Sequence, residues 1–205
     1  GEGKSFCAGA DLGWMKEMVN FSLEQNQLDS LKLFEMFETI WNCPVPVIGK
    51  VHGAAFGGAM GLIACCDFVV ADPGTQFCFS EVKLGIAPAV ISAFINRKVS
   101  AGAARMAMMT GKLLSAEEAQ KMGLVHEVVA TDQQETFLDS YLTAIRDSGP
   151  EAVRETKLLL NEIQNLSWSD QKLKTSFVIA ERRVSAEGQE GLKSFLEKRE
   201  PSWRK

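Results

Sequence analysis

From Val45 to Glu81 the chain reads VPVIGKVHGAAFGGAMGLIACCDFVVADPGTQFCFSE, and few architectures can house it. Pro46 to Val51 is short, apolar and rich in β-branched residues, which predicts a buried strand. Gly53 and then Gly57-Gly58 end it. Ala59 to Ala64 is a run of small and apolar residues that starts a helix. Asp67 to Ala71 predicts a second strand, closed by Asp72-Pro73-Gly74. Gln76 to Phe79 predicts a third, and Glu81 follows as a lone carboxylate. Strands alternating with helix are the α/β pattern.

Gly57-Gly58 carries the chemical interest. The first N–H groups of a helix have no partner inside it, and the helix dipole there favours negative charge. Glycine also lets a substrate approach the backbone. Such a turn suits a phosphate or a developing oxyanion, and equally suits close helix packing.

The rest of the composition narrows the class. The chain has 205 residues, 46% hydrophobic and 23% charged, enough for a globular domain with a substantial core. A net charge of -4 provides no basic field for nucleic acid. No apolar run approaches the roughly 20 residues of a membrane span. Five cysteines (Cys7, Cys43, Cys65, Cys66, Cys78) form no CxxC pair and read as reduced core residues. With only His52 and His126, a histidine metal site or a Ser-His-Asp triad has little to build on, and both histidines read as structural. No metal is expected.

The chain opens GEGKSFCAGADL, a loop or strand end that turns into a helix near Asp11. It resembles Gly57-Gly58 in character, with small residues and free N–H groups just before a helix. The abrupt start, without Met, predicts that further chain precedes it. Ser22 to Trp41 predicts an amphipathic helix, with Leu28, Leu31, Phe34, Phe37 and Ile40-Trp41 on one side. An apolar helix begins near Val90, and an Ala-rich helix spans Ser100 to Met109. Ser115-Ala116-Glu117-Glu118 is a capping box. Leu124 to Val129 predicts a strand. From Asp132 the chain turns helical and polar, with Pro150 at a first helical position. The composition shift near Gly149 predicts an α/β core over residues 1–148 and a helical region over 149–205.

Five segments then combine: FCAGADL (Phe6–Leu12), VHGAAFGGAMGLIACCD (Val51–Asp67), SEVKLGIAP (Ser80–Pro88), LLSAEEAQKMGLVHEVV (Leu113–Val129) and EGLKSFLEKREPSW (Glu190–Trp203). In this order, end to end, they resemble the enoyl-CoA hydratase/isomerase, or crotonase, superfamily. FCAGADL-x-WM at Phe6–Met15 and SEVKLG at Ser80–Gly85 are most similar to bacterial methylglutaconyl-CoA hydratases.

The resemblance implies a spiral of ββα repeats and a C-terminal helical region that forms homotrimers or dimers of trimers. The family carries further N-terminal strands than this chain includes. The resemblance also implies an acyl-CoA thioester substrate with no separate cofactor, and a cytoplasmic site in a bacterium or a mitochondrial matrix site in a eukaryote. Its oxyanion hole falls on the backbone N–H groups of Ala10 and Gly58, with Gly57 completing the turn. Its acid/base carboxylate falls on Glu81. Ala8 matches a backbone contact to the CoA adenine, Ala89 lines the acyl pocket, and Lys198 matches a basic contact to CoA phosphates. Trp14 and Met15 read as packing residues.

One departure bears on mechanism. Hydratases of the family commonly use a second glutamate, and that position here is Gly61. Three readings remain open on the residues: a hydratase with Glu81 alone, a 3-enoyl-CoA to 2-enoyl-CoA isomerase with Glu81 as proton shuttle, or an acyl-CoA-binding subunit without catalysis.

Overall fold

The computed structural model describes residues 1–204. It forms two compact units, one of Gly1–Trp41 with Val47–Gln134, the other of Asn42–Pro46 with the chain from Glu135 onward.

The first unit begins with α1 (Leu12–Met18), started by Asp11, whose carboxylate accepts the Trp14 N–H at 3.0 Å. Trp14 is half-buried, its indole N–H donating to Asp29 at 3.3 Å. The long helix α2 (Leu23–Trp41) follows. The central stretch yields β1 (Ile48–Val51), β2 (Ala54–Phe56), α3 (Gly58–Cys65), β3 (Phe68–Ala71) and β4 (Gln76–Cys78). A 3-10 turn, Ser80–Leu84, then carries Glu81. Next come α4 (Ala89–Lys98), α5 (Ala101–Thr110), β5 (Leu114–Ser115), α6 (Ala116–Lys121) and β6 (Glu127–Val128).

Two sheets result, in the orders β1-β3-β6 and β2-β4-β5. β1 to β4 alternate between the two sheets, whereas β5 pairs antiparallel with β4 in the same sheet. β1 and β2 are followed by α3, and β3 and β4 then stack parallel on them, in the registers Ile48↔Phe68 and Ala54↔Gln76. This is the ββα repeat implied by the resemblance. The opening segment adds one more link, a parallel bridge between Cys7 and Ala55.

Helix α3 is apolar all round and correspondingly enclosed: Ala59, Met60, Gly61, Ile63, Ala64 and Cys65 are buried. Phe34, Phe37 and Trp41 of α2 surround Phe94 of α4, with ring centroids 5.1, 5.6 and 6.2 Å apart. Lys98 ends α3 by donating its ammonium to the Ile63 and Cys66 carbonyls at 3.0 and 2.5 Å. These are the orphan acceptors of a helix C-terminus, which a buried cation satisfies. Burial brings the Lys98 pKa down to about 8.

His126 is structural, as expected. Its Nδ1 accepts the Val69 N–H at 2.9 Å, and burial holds its pKa below the ordinary imidazole value. The strand around it is shorter than expected. The amides of Leu124 and Val125 donate back to the Ala119 carbonyl at the end of α6, so only Glu127 and Val128 pair as β6. All five cysteines are free thiols.

The second unit holds most of α7 (Gln134–Arg146), with α8 (Pro150–Ile163), α9 (Trp168–Val184) and α10 (Ala186–Glu197). Glu187 of α10 caps α8, its carboxylate accepting the N–H groups of Glu151 and Ala152 at 2.9 and 2.8 Å. Lys157 donates to the Val45 carbonyl at 3.1 Å. Large apolar side chains of α9 and α10 are exposed, among them Leu173, Phe177, Val184, Phe195 and Leu196. Among the described residues no helix is long and apolar enough to cross a membrane.

Candidate active site

The opening segment is held against β2. The Phe6 N–H donates to the His52 carbonyl at 2.9 Å, the Cys7 N–H to Ala54 at 3.1 Å, and the Phe56 N–H to Cys7 at 3.0 Å. Cys7 pairs with Ala55 in parallel. Ala10 and Gly58 each stand three residues beyond this bridge, and Gly9 Cα comes within 3.9 Å of the Cβ position of Gly57. Neither the Ala10 nor the Gly58 amide donates to a described residue. Gly58 opens α3, where an amide has no intrahelical acceptor.

Gly57 makes the turn possible. Its φ of 57° and ψ of -123° lie where only glycine is at ease, and its N–H is spent on the Cys78 carbonyl at 2.9 Å. A Cβ placed on Gly57 would lie 3.4 Å from Ser80 Oγ, 3.7 Å from Glu81 Oε1 and 3.9 Å from Gly9 Cα. The glycine turn, the start of the α1 approach and the Glu81 carboxylate therefore converge on one spot. The β2–β4 pairing brings this about: Phe56 is opposite Cys78, and each strand ends just short of a site residue.

Glu81 is partly enclosed. Its Oε2 is buried and has no hydrogen-bond partner among the described residues. Burial pushes its carboxyl pKa above the ordinary value. A carboxyl in this condition can both take and return a proton.

Gly61, by contrast, faces packing. A Cβ there would stand 2.6 Å from Ile91 Cγ2 and 2.7 Å from Phe37 Cζ. Both neighbours are core residues, Phe37 at 1% and Ile91 at 3% exposure. No side chain at this position reaches the site without displacing them.

The other expected residues distribute as follows. Ala8 lies between Cys7 of the bridge and Gly9 and is exposed. Ala89 is the exposed first residue of α4, the helix that also supplies Ile91. Lys198 belongs to the second unit, where it caps α10 in the left-handed conformation with φ 56°. Ser80 is a further candidate that the sequence alone does not single out. Nothing in its local pattern marks it, and only the fold shows its hydroxyl beside Glu81.

Comparison with known proteins identifies the family and the fold. A family model described as enoyl-CoA hydratase/isomerase matches residues 1–205. The crystal structure of an enoyl-CoA hydratase from Shewanella pealeana shares 39% identity and a TM-score of 0.93, covering 98% of this chain and 76% of that one. An enoyl-CoA hydratase of Alternaria alternata is 34% identical over 95% of this chain and 64% of its own length. A crotonyl-CoA hydratase of Syntrophomonas wolfei is 30% identical over 98% of this chain and 76% of its own. The fold is crotonase-like, and the chain belongs to the enoyl-CoA hydratase/isomerase family.

Proposed function

We propose that this protein adds water across the double bond of a 2-enoyl-CoA, with 3-methylglutaconyl-CoA or a related branched, carboxylated acyl group as substrate. The observation that carries this reading is the convergence of Glu81, with its buried, unpartnered Oε2, on the Gly57-Gly58 turn. The similarity of Phe6–Met15 and Ser80–Gly85 to methylglutaconyl-CoA hydratases supports the acyl group, and with it a place in leucine breakdown.

The chemistry proceeds as follows. The thioester oxygen accepts hydrogen bonds from the Ala10 and Gly58 amides. The oxygen of water bonds to C3 as Glu81 takes one of its protons. The π electrons move toward the thioester, and the negative charge collects on the oxygen held by the two amides. Glu81 then returns a proton to C2. A single carboxylate serves one face of the substrate, so both additions occur on that face. Ala8 and Lys198 are assigned to CoA, and Gly57 and Ala89 to the thioester and acyl surroundings. CoA enters as part of the substrate, and no separate cofactor is needed. We further propose a homotrimer or a dimer of trimers, built through the exposed apolar residues of α9 and α10.

The single carboxylate also favours a second reading, isomerisation of a 3-enoyl-CoA by proton transfer between C4 and C2. An absorbance assay of the 2-enoyl thioester separates the two. With 3-methylglutaconyl-CoA and crotonyl-CoA, the expected result is loss of absorbance, faster with the former. Absorbance gained from a 3-enoyl-CoA, with none lost from either 2-enoyl substrate, would overturn hydration.

The oxyanion assignment has its own test, because the donors are backbone atoms. Gly58→Pro deletes the amide at a first helical position, where proline is well tolerated. A Cβ at this position meets nothing within 4 Å. Loss of one such donor lowers kcat by about 10²–10³. Gly58→Ala retains the N–H and is expected to retain most activity. Equal activities of the two variants would remove Gly58 from the oxyanion hole.

A further inference from the structure

A hydration site must do more than remove a proton from water. The attacking oxygen needs one lone pair aimed at C3, which requires both of its hydrogens to be held. Glu81 can hold one. The position from which a second glutamate would hold the other is Gly61, and its Cβ direction is filled by Ile91 and Phe37. The second acceptor must come from elsewhere.

We infer that the hydroxyl of Ser80 is that acceptor, and that Ser80 and Glu81 together position the attacking water. Ser80 Oγ and Glu81 Oε1 lie 3.4 and 3.7 Å from the same point beside Gly57. The Ser80 hydroxyl makes no hydrogen bond with any described residue, so its lone pairs are available. Both residues sit in the first turn of the same 3-10 segment, Ser80–Leu84, so their separation is set by rigid local backbone. A serine oxygen accepts a hydrogen while keeping its own proton. No proton is transferred to it: the water gives one proton to Glu81, forms its bond to C3 and carries the other into the product hydroxyl. Ser80 is thus a positioning residue for water.

This assignment rests on the hydration reading, and the experiment separates the two. Each protein is assayed for hydration of crotonyl-CoA and for exchange of the C2 hydrogens of butyryl-CoA with D2O. Exchange needs Glu81 and the two backbone amides but no attack by water. In Ser80→Ala, hydration kcat is expected to fall about 10–100-fold, the scale of a misplaced reactant. KM should stay within about twofold, exchange should be retained and the melting temperature should be unchanged. Hydration at the wild-type rate overturns the role of Ser80 alone. A parallel fall in hydration and exchange overturns it too, since Ser80 would then be acting through Glu81. A wild-type protein that exchanges C2 hydrogens but never hydrates crotonyl-CoA or 3-methylglutaconyl-CoA overturns both readings.

Discussion

Glu81→Gln is expected to lower kcat for hydration by about 10²–10⁴, the range for loss of a positioned acid–base group. The amide has nearly the shape of the carboxyl, so binding should change little. Wild-type activity should fall in acid as Glu81 takes up a proton, with a midpoint above 4.5 because burial raises its pKa. The residual activity of the variant should lack this limb. Stability should move the other way. The Glu81 pKa is higher in the folded chain than in the unfolded one, so ionisation favours unfolding as pH rises through that interval. The Oε2 atom is also buried without a partner. Removing the charge should therefore stabilise the protein at neutral pH, by about 1 kcal/mol once partial solvent access is allowed for. For a chain of this size that is about 2–4 °C in Tm. The gain should vanish well below pH 4.5, where Glu81 is protonated in both states. A less active and less stable variant at neutral pH would mean that Glu81 holds the turn together and does not serve the chemistry.

What was legible in the sequence was mostly local. Ser115 and Glu118 form the capping box their spacing predicts, with the Ser115 hydroxyl accepting from the Glu118 N–H and the Glu118 carboxylate from the Ser115 N–H. Asp11 starts α1, and Pro150 opens α8. In each case the cause lies within four residues. β2 escaped because Ala54-Ala55-Phe56 has no β-branched residue and follows Gly53. It is a strand only because β4 and Cys7 pair with it from elsewhere in the chain. The unit boundary at Gln134 comes one helix before the composition shift at Gly149, since packing sets it and polarity does not. The site divides the same way. Glu81, Ala10 and Gly58 follow from a resemblance, while the approach of Glu81 and Gly9 to Gly57 depends on non-local register. Ser80 was invisible for this reason: a serine before a glutamate carries no signal until β2 and β4 align.

Gly61→Glu tests how far pattern can substitute for packing. By pattern alone, it supplies the second carboxylate of the family's common hydratases and should raise activity. The structure predicts the opposite. In Gly61→Ala, helix propensity contributes about 1 kcal/mol in favour of alanine. The new Cβ, 2.6 Å from Ile91 Cγ2 and 2.7 Å from Phe37 Cζ, incurs an overpacking cost of about 1–3 kcal/mol. Packing wins, because Phe37 is itself braced by Phe94 and cannot swing aside. Gly61→Ala should melt a few degrees below wild type. Gly61→Glu drives a carboxylate against the buried Phe37 and Ile91, which costs several kcal/mol more. Set against a total stability of about 5–15 kcal/mol, that is enough to leave much of the chain unfolded at 37 °C. Circular dichroism melts of the two variants, with the hydration assay on whatever remains folded, decide the matter. A folded Gly61→Glu protein with faster hydration would show that α2 and α4 yield at Phe37 and Ile91, and that one carboxylate was never the limit of this site. An unfolded one, beside a merely weakened Gly61→Ala, would show that the missing glutamate is excluded by the core, so water must be held by Glu81 and the groups around it.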